Sequence, residues 1–530
     1  MKGFPANVFK CIILLLICAL LCPAFTGCDS DSAGSTTTTT TTDKSSDDPE
    51  NQAPKDPEPV VTLDKFADGI DFGEETINFA YFDSNQNDYY ARAIIVDEQS
   101  TDSIDKAIYT RNQEIQRLLN VKITGEAPDS NNIMSYTADV RTSIFTRDGK
   151  YDIIHGNRSS TIELAHDSCL VRINDLGSTR YPDSNYIDLE APYWDKSDIE
   201  SYSYDGNIYW LSGDITVSRT SNMYCTFVNE KLYDAHIKSE YGDIHEIVRN
   251  KKWTADTISK MAQDIVALDS GYNGIIWSPY DSADAVVSGL GYDLSSSSST
   301  SFVNIHLRTK QNIDCIDGLK VMFSPQCATK FDVVDLGENN LNVFAEGNSL
   351  FTFAPLSASQ TIKQSAVGND YIIVPLPTLN SGISNRYNTY ISTTNRTGIF
   401  GISIYADNIA ACAATLEAMS IINYLTIRPA LIESFLPANA SADDVKTIQT
   451  VISSVNVDFC VTWGNSINGI NKLFSSLTDG DNWEARILAG PAKFDSDFES
   501  PLSELVDKFY KAIERDNKDP NEYIPFNDKQ

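Results

Sequence analysis

A chain of 530 residues with 73 acidic and 41 basic side chains carries a formal charge of -32. That balance excludes nucleic acid as a partner, because a polyanion is held by Lys and Arg that replace its counterions, and it disfavours docking on anionic lipid by charge alone. The length exceeds the roughly 250–300 residues that one hydrophobic core supports, so two lobes are expected, and a hydrophobic content of 42% is enough to fill them.

The amino terminus reads as a targeting signal. Lys2 and Lys10 supply positive charge, and Cys11 to Leu21 is an apolar run too short for a membrane span, which needs about 20 such residues. Phe25-Thr26-Gly27-Cys28 follows and resembles a bacterial lipobox, with Phe25 where Leu is usual. The resemblance implies a lipid on Cys28; a plain secreted protein cut nearby is the alternative. From Asp29 to Pro59 the chain is a Thr, Ser, Pro and acidic stretch, with Thr36 to Thr42 at its centre. Such a segment buries no apolar surface and reads as a disordered tether. The expected divisions are a signal peptide over 1–27 and a tether over 28–64.

In chain order, Glu75 to Phe82 alternates as a strand does. A second strand is expected near Ala93 to Val96. A helix should start at Thr101 or Asp102 and carry Ile104, Ile108, Ile115, Leu118 and Leu119 on one face. Strands are expected at Val121 to Ile123 and at Tyr151 to Ile154, with His155-Gly156-Asn157-Arg158 beyond the second one's carboxyl end. Asp205-Gly206-Asn207 is turn chemistry. Thr254 should cap a helix that buries Ile258, Met261 and Ile265, with Trp253 stapled onto Ile258. Gly274 to Trp277 is a buried strand-like run, and Ser295 to Thr300 a flexible loop. Leu350 to Ala354 and Tyr371 to Val374 are strands, the second apolar throughout, as a strand buried on both faces would be; Pro375 and Pro377 stop its pairing. A long alanine-rich helix should run from about Asn408 to Leu425, and an amphipathic one carries Leu502, Leu505, Val506, Phe509 and Ile513 near the end.

Several of these stretches, in this order, resemble extracellular solute-binding proteins of bacterial ABC importers. They are the helix-then-strand of Arg111 to Val121, the Asp205 to Leu211 hairpin, Val228-Asn229-Glu230-Lys231-Leu232-Tyr233, the Trp253-Thr254 helix start, and Phe344 to Leu379 with its Val374-Pro375-Leu376-Pro377 exit. The resemblance implies a two-lobed, type II binding-protein fold of class α/β. Each lobe would be a mixed sheet flanked by helices, with a ligand cleft between them. Lobe one is expected to hold 65–218 and 366–408, and lobe two 219–365 and 409–530, with crossings near 215–225 and 365–375.

Catalytic signatures are absent: there is no GxSxG and no Walker loop, and His245-Glu246 lacks the second His of HExxH because Arg249 stands there. The five histidines show no metal spacing, and neither cofactor nor metal is expected. Cys169, Cys225, Cys315, Cys327, Cys412 and Cys460 are scattered, and only Cys315 with Cys327 is close enough in sequence to raise the question of a bridge.

A sugar site combines aromatic platforms for C–H faces with polar partners for hydroxyls. The candidates are His155, Asn157, Arg158, Trp210, Asp214, Trp277, Tyr280 and Trp463, with Ser357 and Arg386 behind them. Each Trp has a core reading beside the binding one, Arg158 an ion-pair reading, and Asp214 a turn-cap reading. The expected function is a monomeric receptor, lipid-anchored on the outer face of the cell membrane. It would capture a small solute, a sugar or oligosaccharide, for the permease subunits of an ABC importer. A surface glycoside hydrolase and an adhesive lipoprotein are the alternatives.

Overall fold

The computed structural model describes residues 60–67, 69–82, 89–128, 132–158, 161–268, 271–278, 281–297, 303–330, 338–382, 386–391, 397–470 and 491–518. The signal sequence, Cys28, the tether up to residue 59 and Tyr280 lie outside them. In chain order the strands are β1 (Glu75–Tyr81), β2 (Val121–Glu126), β3 (Ile153–Asn157), β4 (Tyr224–Asn229), β5 (Asn273–Trp277), β6 (Ser295–Ser297), β7 (Val303–Ile305), β8 (Ala328–Lys330), β9 (Ser349–Pro355), β10 (Tyr371–Val374) and β11 (Gly398–Ile402). The helices used below are α1 (Tyr89–Ile94), α2 (Ser103–Leu119), α3 (Lys196–Tyr202), α4 (Val217–Ser221), α5 (Ala255–Val266), α6 (Asp281–Gly289), α7 (Lys310–Met322), α8 (Ile409–Ile422), α9 (Ala442–Ser453), α10 (Phe459–Thr462) and α11 (Pro491–Asp516).

Two mixed sheets organise the chain. The first has the order β11-β3-β1-β2, with β1, β2 and β3 parallel and β11 antiparallel to β3. The second has the order β10-β4-β9-β5-β8, in which β5 is parallel to β8 and β9 while β4 is antiparallel to β9 and β10. β6 and β7 form a separate antiparallel hairpin.

Local chemistry accounts for the elements. Asp102 caps α2 by accepting from the N–H of Ile104 and Asp105, and the helix buries Ile104, Ile108, Ile115 and Leu119 as its spacing predicts. Thr254 caps α5 through Thr257 N–H. Asp205 and Gly206 both take positive φ, at 50° and 70°, as a tight two-residue turn requires.

Three expectations are corrected. The segment expected as a strand near Ala93 is instead entered through the helix α1. Ala93 and Ile94 are buried while Ile95 is exposed, and the last carbonyls of the helix are held by α2, Ala93 by Arg111 and Ile94 by Asn112. β3 does not stop at Ile154 but continues through His155 to Asn157, because β11 pairs with it to the end, Gly398 facing Asn157. Gly398 is needed there, since a Cβ would lie 2.1 Å from His155 Nε2. Ser295 to Ser297, expected as loop, forms β6.

The sheets do not follow the expected lobe bounds throughout. In 366–408, β10 pairs with β4 in the second sheet, and only β11 joins the first. In 409–530, α8 packs on α2, β1 and β11, α9 packs on β10, and α11 buries Leu505 and Phe509 in the cluster built on the first sheet. Small residues at Ala411, Cys412, Ala413 and Ala414 let α8 approach closely. The helical stretch Ile409–Phe435 is long and apolar enough to cross a membrane by length and composition, but it is mostly buried within the protein, as a core helix is.

The chain crosses from the first sheet to the second through α4. It returns between β10 and β11, over 375–397 rather than 365–375. The two paths run side by side: Tyr224 N–H donates to the Tyr390 carbonyl at 2.8 Å, and Met223 bridges to Ile391. A third path leaves α8 by a π-turn, Asn423–Ile427, whose Asn423 amide donates to the carbonyls of Asp214 and Ile215. The six described cysteines are buried free thiols, so Cys315 and Cys327 are not bridged.

Candidate ligand-binding site

In open α/β sheets, ligands are met beyond the carboxyl ends of the strands. β3 ends at Asn157, whose backbone N–H donates to Thr161 Oγ1 at 3.1 Å and whose Oδ1 accepts from Thr161 N–H at 3.2 Å. That turn places Arg158 in the interior, 1% exposed.

A buried charge cluster surrounds it. Arg158 Nη2 lies 3.1 Å from Asp198 Oδ1 on α3 and 3.4 Å from Thr462 Oγ1 on α10, with the guanidinium 5.3 Å from the Tyr202 ring centre. The Asp198 carboxylate also accepts from Ser212 Oγ at 2.5 Å and from Arg219 Nε at 3.4 Å, and Arg219 pairs with Asp195 as well. Burial alone would raise the Asp198 carboxyl, but Arg158 and Arg219, helped by Ser212 and Tyr202, outweigh it and hold it below the ordinary carboxylate range. Two guanidinium groups meet two carboxylates, so the cluster is internally neutral. It is not saturated, however: Arg158 Nε and Nη1 have no hydrogen-bond partner among the described residues. A buried guanidinium is a five-donor group that needs acceptors.

The other expected residues are placed differently. Trp210 is core: its indole N–H donates to the Ile162 carbonyl at 3.1 Å and its ring packs against Gly401. Trp463 is core too, donating to the Ser201 carbonyl at 3.1 Å and meeting Phe509 edge-on at 4.9 Å. His155 is fully buried and stacks on Phe400 at 4.1 Å. Asp214 joins two crossing paths, pairing with Arg428 at 3.0 Å; burial pushes its carboxyl up in spite of that partner. Trp277, at the end of β5, is 6% exposed and lies flat on Phe323, ring centres 4.0 Å apart at 5°. One face of that ring is therefore already covered, and its indole N–H has no partner among the described residues. Ser357 is half-buried in the short turn Leu356–Ala358, and Arg386 is exposed on the returning crossing.

Sequence reasoning missed Asp198, Tyr202, Ser212, Arg219 and Thr462. One signal was present. Thr216-Val217-Ser218-Arg219-Thr220-Ser221-Asn222 is a mostly polar run directly before the apolar strand β4, and every one of its residues is buried. Ser218 Oγ there accepts from Gly398 N–H at 3.1 Å, tying the outward crossing to the start of β11.

No protein-family model matches the sequence, and no curated protein matches it. Solved structures do match. The chain is similar to the galacto-N-biose/lacto-N-biose I-binding protein of the ABC transporter from Bifidobacterium longum, at 13% identity over 83% of this chain and 98% of that one, with a TM-score of 0.50. The GacH receptor of Streptomyces glaucescens is 12% identical, covering 83% of this chain and 99% of that one, with a TM-score of 0.47. Maltose-bound MalE3 of T. maritima is also 12% identical, covering 82% and 99%, with a TM-score of 0.47. At such identities the likeness defines the fold. The chain has the two-lobed α/β fold of solute-binding proteins, a mixed sheet flanked by helices in each lobe.

Proposed function

We propose that this protein is an extracellular receptor, not an enzyme. It captures a neutral sugar or oligosaccharide and hands it to the permease subunits of an ABC importer. The observation that carries this reading is Arg158, buried at the end of β3 with two N–H groups that have no partner among the described residues. Hydroxyl and ring oxygens of a sugar are the acceptors such a group needs, and the neutral cluster behind it asks for no charge on the solute. The fold supports the reading, because one of the structures the chain is similar to, at a TM-score of 0.50, is that of a lacto-N-biose complex.

Solution scattering tests it. Saturation with a cognate oligosaccharide should reduce the radius of gyration, as two bodies joined by paired crossings bend about them, and no reducing sugar should be released. An unchanged radius at saturation, or steady release of reducing sugar, would overturn the receptor reading.

The anchor is proposed from Phe25 to Cys28. Two or three acyl chains hold a protein on a membrane where one holds it weakly. Metabolic labelling with a fatty acid should mark the wild type and spare Cys28→Ser; equal labelling of both contradicts the anchor.

A further inference from the structure

Two helical runs pass from one hydrophobic core into the other, and they do so at the same level. The helix α2 buries Ile104 and Ile108 in the cluster built on the second sheet, with Phe227 of β4 and Ile373 of β10. Two turns further on it buries Ile115 and Leu119 in the cluster built on the first sheet, with Phe79 of β1 and Phe400 of β11. The run Ile409–Phe435 crosses in the opposite sense. Its α8 part lies in the first cluster from Ala411 to Ile422, whereas Ile427, Leu431 and Phe435 lie in the second. The change of core falls on Arg111 in α2 and on the π-turn Asn423–Ile427 in the other run. The two points are bonded: Arg111 Nη1 donates to Asn423 Oδ1 at 3.1 Å.

Arg111 is 1% exposed. Its Nη2 also donates to the Ala93 carbonyl at 2.9 Å and to Asn112 Oδ1 at 2.8 Å, and its Nε donates to Asn112 Oδ1 at 3.0 Å. Every one of these acceptors is neutral. Burial alone acts on the guanidinium, lowering its pKa, and no carboxylate balances it among the described residues. Arg158 and Arg219, by contrast, meet carboxylates. Drawing a buried ion pair apart strands two charges, whereas a guanidinium that shifts between amide and carbonyl oxygens stays surrounded by acceptors throughout. Asn423 faces both ways, because its amide donates to the carbonyls of Asp214 and Ile215 on the outward crossing, at 2.8 Å each.

We propose that α2 is a strut shared by the two sheet bodies, and that the link between Arg111 and Asn423 is the joint that limits how far they open about the crossings. The strut is unbroken and about 25 Å long at 1.5 Å per residue. The slack lies opposite it, in the π-turn, where the helical ladder of the second run is interrupted. Arg111 and Asn423 act on solute only through the bodies they join, and so are positioning residues. This role presupposes the bending bodies of the receptor reading; its test leaves solute out, so the two can fail separately.

Solution scattering on the full chain without solute reads the joint. In Arg111→Lys and in Asn423→Ala, each shown by denaturant melts to be folded, the radius of gyration should exceed that of the wild type. Lysine keeps the charge but lacks the planar fork that reaches Ala93, Asn112 and Asn423 together. The double variant should go no further than the larger single one, because both substitutions break one link. Arg117→Lys, on the exposed side of the same helix, should leave the radius unchanged. A radius at or below the wild-type value in a folded variant, summed effects in the double variant, or a rise in Arg117→Lys would each overturn the proposal. So would loss of folding in both single variants, which would make the link a foundation of the cores and not a joint.

Discussion

Replacing Asp198 by Ala should destabilise the protein by about 3–5 kcal/mol, the cost of breaking a buried ion pair by removing one partner. Asp198 serves two cations, and its loss leaves Arg158 without a carboxylate partner among the described residues. Arg158 and Asp198 have fully buried side chains, and Arg219 is nearly so. Arg219 keeps Asp195, but among the described residues Arg158 keeps Thr462 Oγ1 at 3.4 Å and the Tyr202 ring, with no carboxylate. The pH dependence follows from the direction of the Asp198 shift. A carboxyl held below its ordinary value stabilises the fold above that value, about 3.9, and the contribution is lost as pH falls through the folded value. The difference between wild type and Asp198→Ala in denaturant melts should thus be full at neutral pH and shrink in acid. A variant as stable as wild type at pH 7 would mean that the cluster is solvated.

Trp277→Ala should cost about 3–5 kcal/mol of stability, as truncation of a core Trp does. Read from sequence, Trp277 sits at an element's end before Ser278-Pro279, where solute could stack, and truncation would then cost affinity more than stability. Its packing reverses that weighting. The ring lies flat on Phe323, which leans on Phe353, and the residue belongs to the second-sheet core with Ile275 and Phe351. Trp277→Phe should be milder, because the stacked face is kept. Paired melts and titrations separate the outcomes: lost affinity with a stability change under about 1 kcal/mol would restore the platform role.

The strands read correctly from sequence were those whose pattern is decided locally. Glu75 to Tyr81 alternates, Leu350 to Ala354 and Tyr371 to Val374 are mostly apolar runs bounded by turns or prolines, and nothing distant competes with those signals. Asp102 and Thr254 cap helices through bonds to the next three residues, so they too are legible. α1 was not, because Ala93 and Ile94 are apolar in either state, and Arg111 and Asn112, distant in sequence, settle the matter by holding its last carbonyls. The pairing of β10 was not legible for a similar reason: nothing within Tyr371 to Val374 says which sheet it will join.

Of the buried charge cluster, Arg158 alone was legible in the sequence. Arg158 could be proposed because a polar residue follows a buried strand. Its partner Asp198, together with the Ser212 and Arg219 that bond to Asp198, comes from the long excursion after β3, which has little periodicity of its own, and Thr462 comes from near the other end of the chain. The tryptophans misled because a large aromatic ring serves a core and a sugar platform equally well; only the hydrogen bonds of Trp210 and Trp463 to interior carbonyls separate the two.

The proposed receptor binds a neutral oligosaccharide with Arg158 as a donor. Calorimetric titration of a panel of neutral oligosaccharides into wild type and Arg158→Lys tests it directly. Lysine keeps the charge opposite Asp198 but lacks the planar fork and its extra N–H groups. Wild type should bind at least one member with one-to-one saturation. Arg158→Lys, with its melting behaviour preserved, should bind the same sugar more weakly by about 1.5–3 kcal/mol, the worth of hydrogen bonds to a charged group, or roughly ten- to a hundredfold. Equal affinity in the two proteins, or no saturable heat from any member of the panel, would contradict it.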